Sequence, residues 1–427
     1  MKNVLIITYY FPPMAGIGGV RPYGLARYLS PFGWNPIILT PILPADPDPK
    51  LRIIQTPYFD AVEKWKRRFG LNPKKSINAQ LKINRKKDRP SIVDHFVAIP
   101  GEIITYPDDR FGWYNFAVLA GEKILQTEQI DAIISSSRPE TCHLIAKTLV
   151  EKYHVPWIAD FRDLWSQNQY SYFSHSFMKY FEKKLEINTV KHASVLTTVS
   201  QPLVNKLAEL HENKKIILIK NGFDPELINP ENDVDHFFKI VYTGSLYRGK
   251  RDPAQLFAVI NDLCDKEFIK RDDIKIDFFC FGSPNDWLQE DIVKYHLQDI
   301  VTLHGEVPHK TAIAEQRKAQ MLLLLTWNIP EEEGVYTGKI FEYLAARRPI
   351  LSLGYTEGGV IKELLIQTQA GLHAGNEEEL KTAILGAYRE YKECGAVQYW
   401  GIHEEVMKYS HKEMARKFAG ILDNMVQ

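Results

Sequence analysis

Apolar residues along this chain come in short, dense runs separated by amphipathic stretches, and the two alternate. Val4–Tyr10, Asn35–Thr40, Asp131–Ser136, Pro156–Asp160, Ser194–Val199 and Ile216–Lys220 have strand length and the composition of strands buried on both faces. Between them, Arg21–Phe32, Glu140–Lys152, Phe177–Lys191 and Pro202–His211 carry apolar residues at helical spacing. The polar segment Asp224–Asp235, with two prolines, reads as a hinge. The rhythm then restarts. Strands are expected at Phe238–Thr243, Ile274–Phe281, Ile300–His304, Met321–Thr326 and Pro349–Leu353, with helices at Pro253–Asp265 and Glu377–Tyr391. Such alternation predicts an α/β chain of two doubly wound, Rossmann-like domains, which bind ligands at the carboxyl ends of their strands and here would face a cleft.

Two segments interrupt the rhythm with chemistry. Phe11–Gly19 (FPPMAGIGG) follows the first strand, and Gly16, Gly18 and Gly19 would let a ligand approach the backbone closely. The spacing is not GxGxxG, so a dinucleotide fingerprint is absent. Glu331–Leu353 (EEEGVYTGKIFEYLAARRPILSL) reads as an acidic loop, a tight turn, a short helix and a buried strand. Thr337 and Gly338 would open that helix, with Ile340, Phe341, Leu344 and Ala345 facing a core. Lys339 and Glu342, three apart, then share a neighbouring face. A helix start favours anions, Lys339 adds positive charge, and Glu342 adds an acceptor for a vicinal diol. Phosphate and ribose together make a nucleotide site. The alternative is a surface helix with a solvated Lys and Glu.

The 427 residues suit two to three domains, and 45% hydrophobic with 25% charged content is ordinary for a folded chain. Lys plus Arg equals Asp plus Glu at 53 each, so net charge does not point to nucleic acid. One stretch, 64–89, is strongly basic with Trp65, Phe69 and Leu71 interleaved. It reads either as a solvated insertion or as a segment attracted to an anionic membrane surface. It matches no nucleic-acid module, and no nucleic-acid partner is expected. Cys142, Cys264, Cys280 and Cys394 are widely spaced with no CxxC, which suits a reducing cytoplasm. Val4–Phe11 imitates a signal peptide, but Pro12-Pro13 breaks it and a first strand is expected. No apolar run reaches the ~18 residues needed to span a bilayer. Asp46-Pro-Asp48 and Asp233-Val-Asp235 spell DxD within turns, away from the end of an apolar strand, so no metal and no cofactor is expected.

Four blocks in order, YYFPPMAGIGGVRPYGLARYL, PWIADFRDLW, VYTGSLYRGKRDP and TGKIFEYLAARRPIL, resemble the retaining GT-B glycosyltransferases of family 4 over nearly the whole chain. The resemblance implies an N-terminal acceptor domain (1–232), a C-terminal nucleotide-sugar domain (233–403) and a last helix (404–427) that packs back on the first. The implied activity moves a sugar from a nucleotide diphosphate donor to a glycan or polyprenyl-diphosphate-linked acceptor in cell-surface polysaccharide synthesis. The implied location is the cytoplasm, peripheral to the inner face of the plasma membrane. A sugar-nucleotide epimerase and a nucleotide-sugar-binding assembly protein are the alternative functions on this fold.

The resemblance also implies roles. Lys250 matches the family's diphosphate-binding Lys by its distance from Gly244. The accompanying Arg is Ser245 here, with Arg248 or Arg251 as replacement. Glu342 matches the second glutamate of a pair; the first would fall at Gly334, and Glu331, Glu332 or Glu333 is the substitute, or a solvated acidic run. Gly305, Val307 and the loop around 281–283 would shape base and sugar recognition. The Gly16–Gly19 loop would approach the donor diphosphate and sugar. Where many members carry a His after the strand at Pro156–Asp160, this chain has Arg162. Arg162 would bind phosphate of the donor or of a lipid acceptor, and Asp160 or Asp163 would orient it or accept the acceptor's proton. A structural Arg–Asp pair is the alternative.

Overall fold

The computed structural model describes residues 1–14, 16–60, 106–168, 176–228, 233–280, 286–327, 334–354 and 359–426. The basic stretch 64–89, Glu331–Glu333 and the loop 281–283 lie outside them. Contacts divide the chain into two units, Met1–Lys220 with Ala415–Gln427, and Asn221–Met414.

The first unit is a seven-stranded parallel sheet. Its strands are β1 (Lys2–Ile7), β2 (Trp34–Pro41), β3 (Arg52–Thr56), β4 (Ala132–Ser137), β5 (Trp157–Phe161), β6 (Val195–Thr198) and β7 (Ile216–Leu218). They lie in the order β3-β2-β1-β4-β5-β6-β7. Its described helices are α1 (Val20–Tyr28), α2 (Tyr114–Thr127), α3 (Thr141–Tyr153), α4 (Ser176–Val190) and α5 (Gln201–Leu210). Val4, Leu5, Ile6 and Ile7 are all fully buried, which is why β1 reads as an unbroken apolar run rather than an alternating one. The strand order reverses between β1 and β4. The carboxyl ends of those strands therefore open the crevice where such sheets bind ligands. The glycine loop leaves β1 there, and Arg162 follows the neighbouring β5.

One buried carboxylate ties this edge together. Asp160 accepts from Arg21 Nε at 2.9 Å and Nη2 at 2.8 Å, from Ser136 Oγ at 3.0 Å and from Thr197 Oγ1 at 2.8 Å. Helix α1 and strands β4, β5 and β6 thus meet on one side chain. The Arg21 guanidinium also donates to the Lys220 carbonyl at 3.2 Å and lies 5.3 Å above the ring of Phe418. Phe418 belongs to the C-terminal helix His411–Met425, whose Asp423 accepts from the Trp34 indole at 3.0 Å.

The second unit is a six-stranded parallel sheet. Its strands are β8 (Phe238–Thr243), β9 (Ile274–Phe279), β10 (Val301–Leu303), β11 (Met321–Leu325), β12 (Ile350–Leu353) and β13 (Gly371–Ala374), ordered β10-β9-β8-β11-β12-β13. The described helices are α6 (Ala254–Asp265), α7 (Asp286–Lys294), α8 (His309–Lys318), α9 (Gly338–Ala346), α10 (Val360–Thr368), α11 (Glu377–Cys394) and α12 (His403–Met407), before the C-terminal helix, α13 (His411–Met425). The division falls at Asn221, ahead of the polar segment Asp224–Asp235. There Phe223 donates to the Tyr409 carbonyl at 3.0 Å, and its own carbonyl accepts from His411 at 2.8 Å. For the same reason residues 404–414 group with the second unit, and only Ala415 onward groups with the first.

The apolar pattern located the central strands to within a few residues. It passed over β3, α2, α7, α8, α10 and β13. Helix α8 carries few buried apolar residues, only Ala312 among them. Strand β13 is four residues at the sheet edge with one buried position.

Arg21→Met is expected to leave Asp160 charged, buried and short of its main partner. A loss of about 3–5 kcal/mol in unfolding free energy is expected, measured by denaturant titration.

Candidate functional site

Helix α9 is set by its apolar stripe. Ile340, Phe341, Leu344 and Ala345 are buried as the spacing predicts, together with Tyr343 and Ala346. Thr337 takes the extended N-cap conformation and Gly338 is the first helical residue. Lys339 and Glu342 are left on the adjoining face.

The side chain of Lys339 runs across Gly244, the residue after β8. A Cβ on Gly244 would sit 2.1 Å from Lys339 Cε, and the φ of +115° there is one that side chains rarely adopt. Lys339 Nζ donates to the Tyr242 hydroxyl at 2.6 Å and lies 4.2 Å above that ring. The Tyr242 hydroxyl in turn donates to the Ser245 carbonyl at 2.6 Å. Ser245 therefore enters the site through its backbone. Burial, with a smaller push from the Arg251 guanidinium, brings the Lys339 ammonium down to about 7.

Glu342, on α9, is held by two residues of α8. One oxygen lies 3.0 Å from His309 Nε2, and the other accepts from Gln316 Nε2 at 3.2 Å. Gln316 also donates to Thr243 Oγ1 at 3.0 Å, so the carboxylate is tied to the end of β8. Its hydrogen bond raises the His309 pKa above the ordinary imidazole value. Val307 packs against the apolar cluster that includes Phe341 and Tyr343, and Gly305 sits just beyond β10 with φ +70°.

Lys250 and Arg251 gather on Trp327, which follows β11. Arg251 lies 4.5 Å and Lys250 5.5 Å from that ring, and Tyr247 stacks on it at 5.4 Å. Beside them is a cavity of about 370 Å³ lined by Gly249, Lys250, Asp252, Thr326, Gly354 and Gly375. Of the two replacement arginines left open by the sequence, Arg251 joins this group. Arg248 does not: its guanidinium lies 4.0 Å from Glu290 and 5.9 Å from the Trp287 ring, both on α7.

In the first unit the glycine loop and Arg162 come together. A Cβ on Gly18 would lie 2.9 Å from Arg162 Nη1 and 2.9 Å from the Tyr10 ring. Gly19 packs on the backbone of Phe11, and Gly16 has φ +132°. Arg162 is largely buried, with its Nε 3.7 Å from Asp163, whose side chain is about half exposed. The expectation that Asp160 serves Arg162 or takes a proton is corrected. Its carboxylate is occupied by Arg21, Ser136 and Thr197. Burial opposes its ionisation, but those partners more than offset it and hold the carboxyl below its ordinary range.

Several groups escaped the sequence reading. His309, Gln316 and Tyr242 support the two charged residues of α9, yet none belongs to a recognisable spacing. Asp108 and Glu140 are buried by the start of α3, where Asp108 accepts from Thr141 and Glu140 lies 3.4 Å from Arg138. Burial raises the pKa of both carboxyls. His143 is buried beside Ser135 and pushed down to about 3, so it stays neutral. Among the described residues, no three His, Cys, Asp or Glu side chains gather as a metal site.

Residues 18–227 match the family model described as Glycosyltransferase Family 4. No curated protein sequence matches the chain. Among solved structures, sucrose-phosphate synthase from Thermosynechococcus elongatus has a TM-score of 0.64 at 14% identity, over 99% of this chain and 99% of its own. A glycosyltransferase from Rickettsia africae gives 0.59 at 15% identity, over 100% and 99%. Anabaena HepE in complex with UDP gives 0.61 at 12% identity, over 99% and 100%. These likenesses establish the fold as that of the GT-B glycosyltransferases, with two parallel-sheet units.

Gly244→Ala is expected to lower stability by about 1–3 kcal/mol, through backbone strain and collision with Lys339. The loss should shrink in a Lys339→Ala background, where only the strain remains. Thermal denaturation of the four proteins of that cycle measures both terms.

Proposed function

We propose, from the premise that residues 18–227 belong to Glycosyltransferase Family 4 and that the chain is a GT-B-fold glycosyltransferase, that it moves a sugar from a nucleoside diphosphate donor to a glycan or polyprenyl-diphosphate-linked acceptor. Transfer proceeds with retention at the anomeric carbon and serves cell-surface polysaccharide assembly. The protein works in the cytoplasm, with the basic stretch 64–89 drawing it to an anionic membrane.

The observation that carries this reading is the pairing at the start of α9. Lys339 lies over Gly244, while Glu342 is held by His309 and Gln316 less than a turn further on. A cation for phosphate and a fixed acceptor for a ribose diol stand side by side on one helix start. Lys250 and Arg251 supply further positive charge at the neighbouring cavity. As the glycosidic bond breaks, negative charge grows on the departing diphosphate, and fixed cations stabilise that growth. Side chains do this work, and the reading includes no metal. In the first unit, Arg162 beside Gly18 binds a phosphate group, and Asp163 is the carboxylate exposed enough to receive the acceptor's proton. The acceptor attacks on the face from which the diphosphate leaves, through an oxocarbenium-like state.

UDP-glucose is the first donor to test, because HepE has been solved with it. A bound donor at 100 times its Kd adds ~2.7 kcal/mol of stability. A thermal-shift panel of nucleoside diphosphate sugars is expected to show such a shift for at least one member, lost in Lys250→Ala and Glu342→Ala. Shifts that survive both substitutions would overturn the site.

The state of Lys339 gives a pH dependence. In the free protein its amine is charged below about 7 and neutral above it. A bound diphosphate favours the charged form, so binding takes up a proton. Donor affinity should therefore fall as pH rises above about 7, by as much as about tenfold per unit. Isothermal titration with a nucleoside diphosphate sugar, whose diphosphate does not itself titrate there, should show this slope. Lys339→Met should flatten it.

A further inference from the structure

Helix α4 is built inside out. Along Ser176–Val190, SFMKYFEKKLEINTV, the buried positions are Met178, Glu182, Glu186, Thr189 and Val190. Two of those five are glutamates. The opposite face carries Phe177, Tyr180, Phe181 and Ile187, which are 46%, 55%, 53% and 38% exposed. Residues 177, 180, 181 and 184 fall at i, i+3, i+4 and i+7, so the three rings and Lys184 form one stripe. Lys179 and Lys183 flank it, also exposed, and Lys184 Nζ lies 4.8 Å from the Tyr180 ring.

The inward glutamates have structural work. Glu186 accepts from the Ser166 backbone at 2.8 Å and lies 3.1 Å from His211 Nε2. Drawing both acids inward leaves the outer face with aromatic rings and lysines and no acidic side chain of its own helix. An exposed apolar stripe in water is unfavourable and marks an interaction surface.

The composition selects the partner. A second copy would set lysines against lysines. An anionic bilayer offers phosphates to the lysines and a headgroup layer in which Phe and Tyr rest with one edge apolar and one wet. Long lysine stems reach from the apolar boundary to the phosphates. Position adds to this. The Phe181 carbonyl accepts from the Tyr106 hydroxyl at 3.3 Å, and Asp108, two residues on, holds the Thr141 backbone at the start of α3. The aromatic turns thus lie toward the carboxyl edge of the sheet, the edge that carries Arg162 and the glycine loop.

We propose that α4 docks the protein on an anionic membrane, with Phe177, Tyr180 and Phe181 entering the headgroup layer and Lys179, Lys183 and Lys184 pairing with lipid phosphates. The docking stands independently of the transferase reading. Only its use, bringing a lipid-linked acceptor to the edge that holds Arg162, rests on that reading.

Co-sedimentation of the full chain with vesicles of phosphatidylcholine, and of phosphatidylcholine mixed with phosphatidylglycerol, tests this. The protein is expected to sediment with the mixed vesicles and to be released by salt. Changing Phe177, Tyr180 and Phe181 together to Ser should lower the partition coefficient roughly tenfold or more. Thermal stability and the shift caused by UDP-glucose should not change. Changing Lys179, Lys183 and Lys184 together to Gln should remove most of the preference for phosphatidylglycerol while keeping the rings. Failure of the unaltered protein to bind the mixed vesicles would overturn the proposal. So would undiminished binding by the Ser variant, which would place the attraction elsewhere, the stretch 64–89 included. A UDP-glucose shift without vesicle binding would leave the donor site standing and remove only the docking helix.

Discussion

The first unit depends on where the negative charge of Asp160 is placed. A carboxylate deep in a parallel sheet is costly unless its lone pairs are met, and here Arg21, Ser136 and Thr197 meet them. Because Arg21 lies at the start of α1, directly after the glycine loop, the pair fixes that loop relative to β5. Arg162, two residues beyond Asp160, is thereby held against Gly18. The end of the strand separates the two roles: Asp160 lies within β5 and enters the structural pair, while Arg162 follows its last residue, Phe161, at the ligand edge.

The second unit uses a different device. At the start of α9, Lys339 fills the space that a side chain on Gly244 would need. Gly244 must lack a side chain so that Lys339 can cross it. Crossing it brings the ammonium onto Tyr242 and near Arg251, where burial and like charge make the cation unfavourable. Glu342 is handled in the opposite sense. His309 and Gln316 satisfy and orient the carboxylate before any ligand arrives, and orientation in advance reduces the cost of binding. In the proposed donor site this leaves one acceptor oriented in advance and one cation disfavoured until an anion joins it.

Much of the architecture was legible in the residues. Buried parallel strands announce themselves as unbroken apolar runs, and the restart after residue 235 showed a second sheet. The α9 segment was legible down to its first helical residue, because its apolar stripe and Thr-Gly start are local features. The expected partnership of Asp160 with Arg162 was not borne out. Nearness in sequence suggested it, while the actual partner, Arg21, is 139 positions away. The choice between Arg248 and Arg251 was equally out of reach, since it turns on a stacking ring, Trp327, that arrives from another strand.

Local period and composition thus determined by themselves that this chain forms two parallel sheets, a glycine loop after the first strand, and a helix start bearing Lys339 and Glu342. Those features arise from interactions within a few residues. The fold alone decided the partner of Asp160, the electrostatic state of Lys339, the support behind Glu342 and the direction α4 faces. In α4 the sequence offers rings and glutamates at equal helical spacing, with nothing to say which side is inward. His211 and the Ser166 backbone, brought up by other elements, draw Glu186 inside and so turn Phe177, Tyr180 and Phe181 out. Contacts across crossovers set these outcomes, and no periodicity in the chain encodes them.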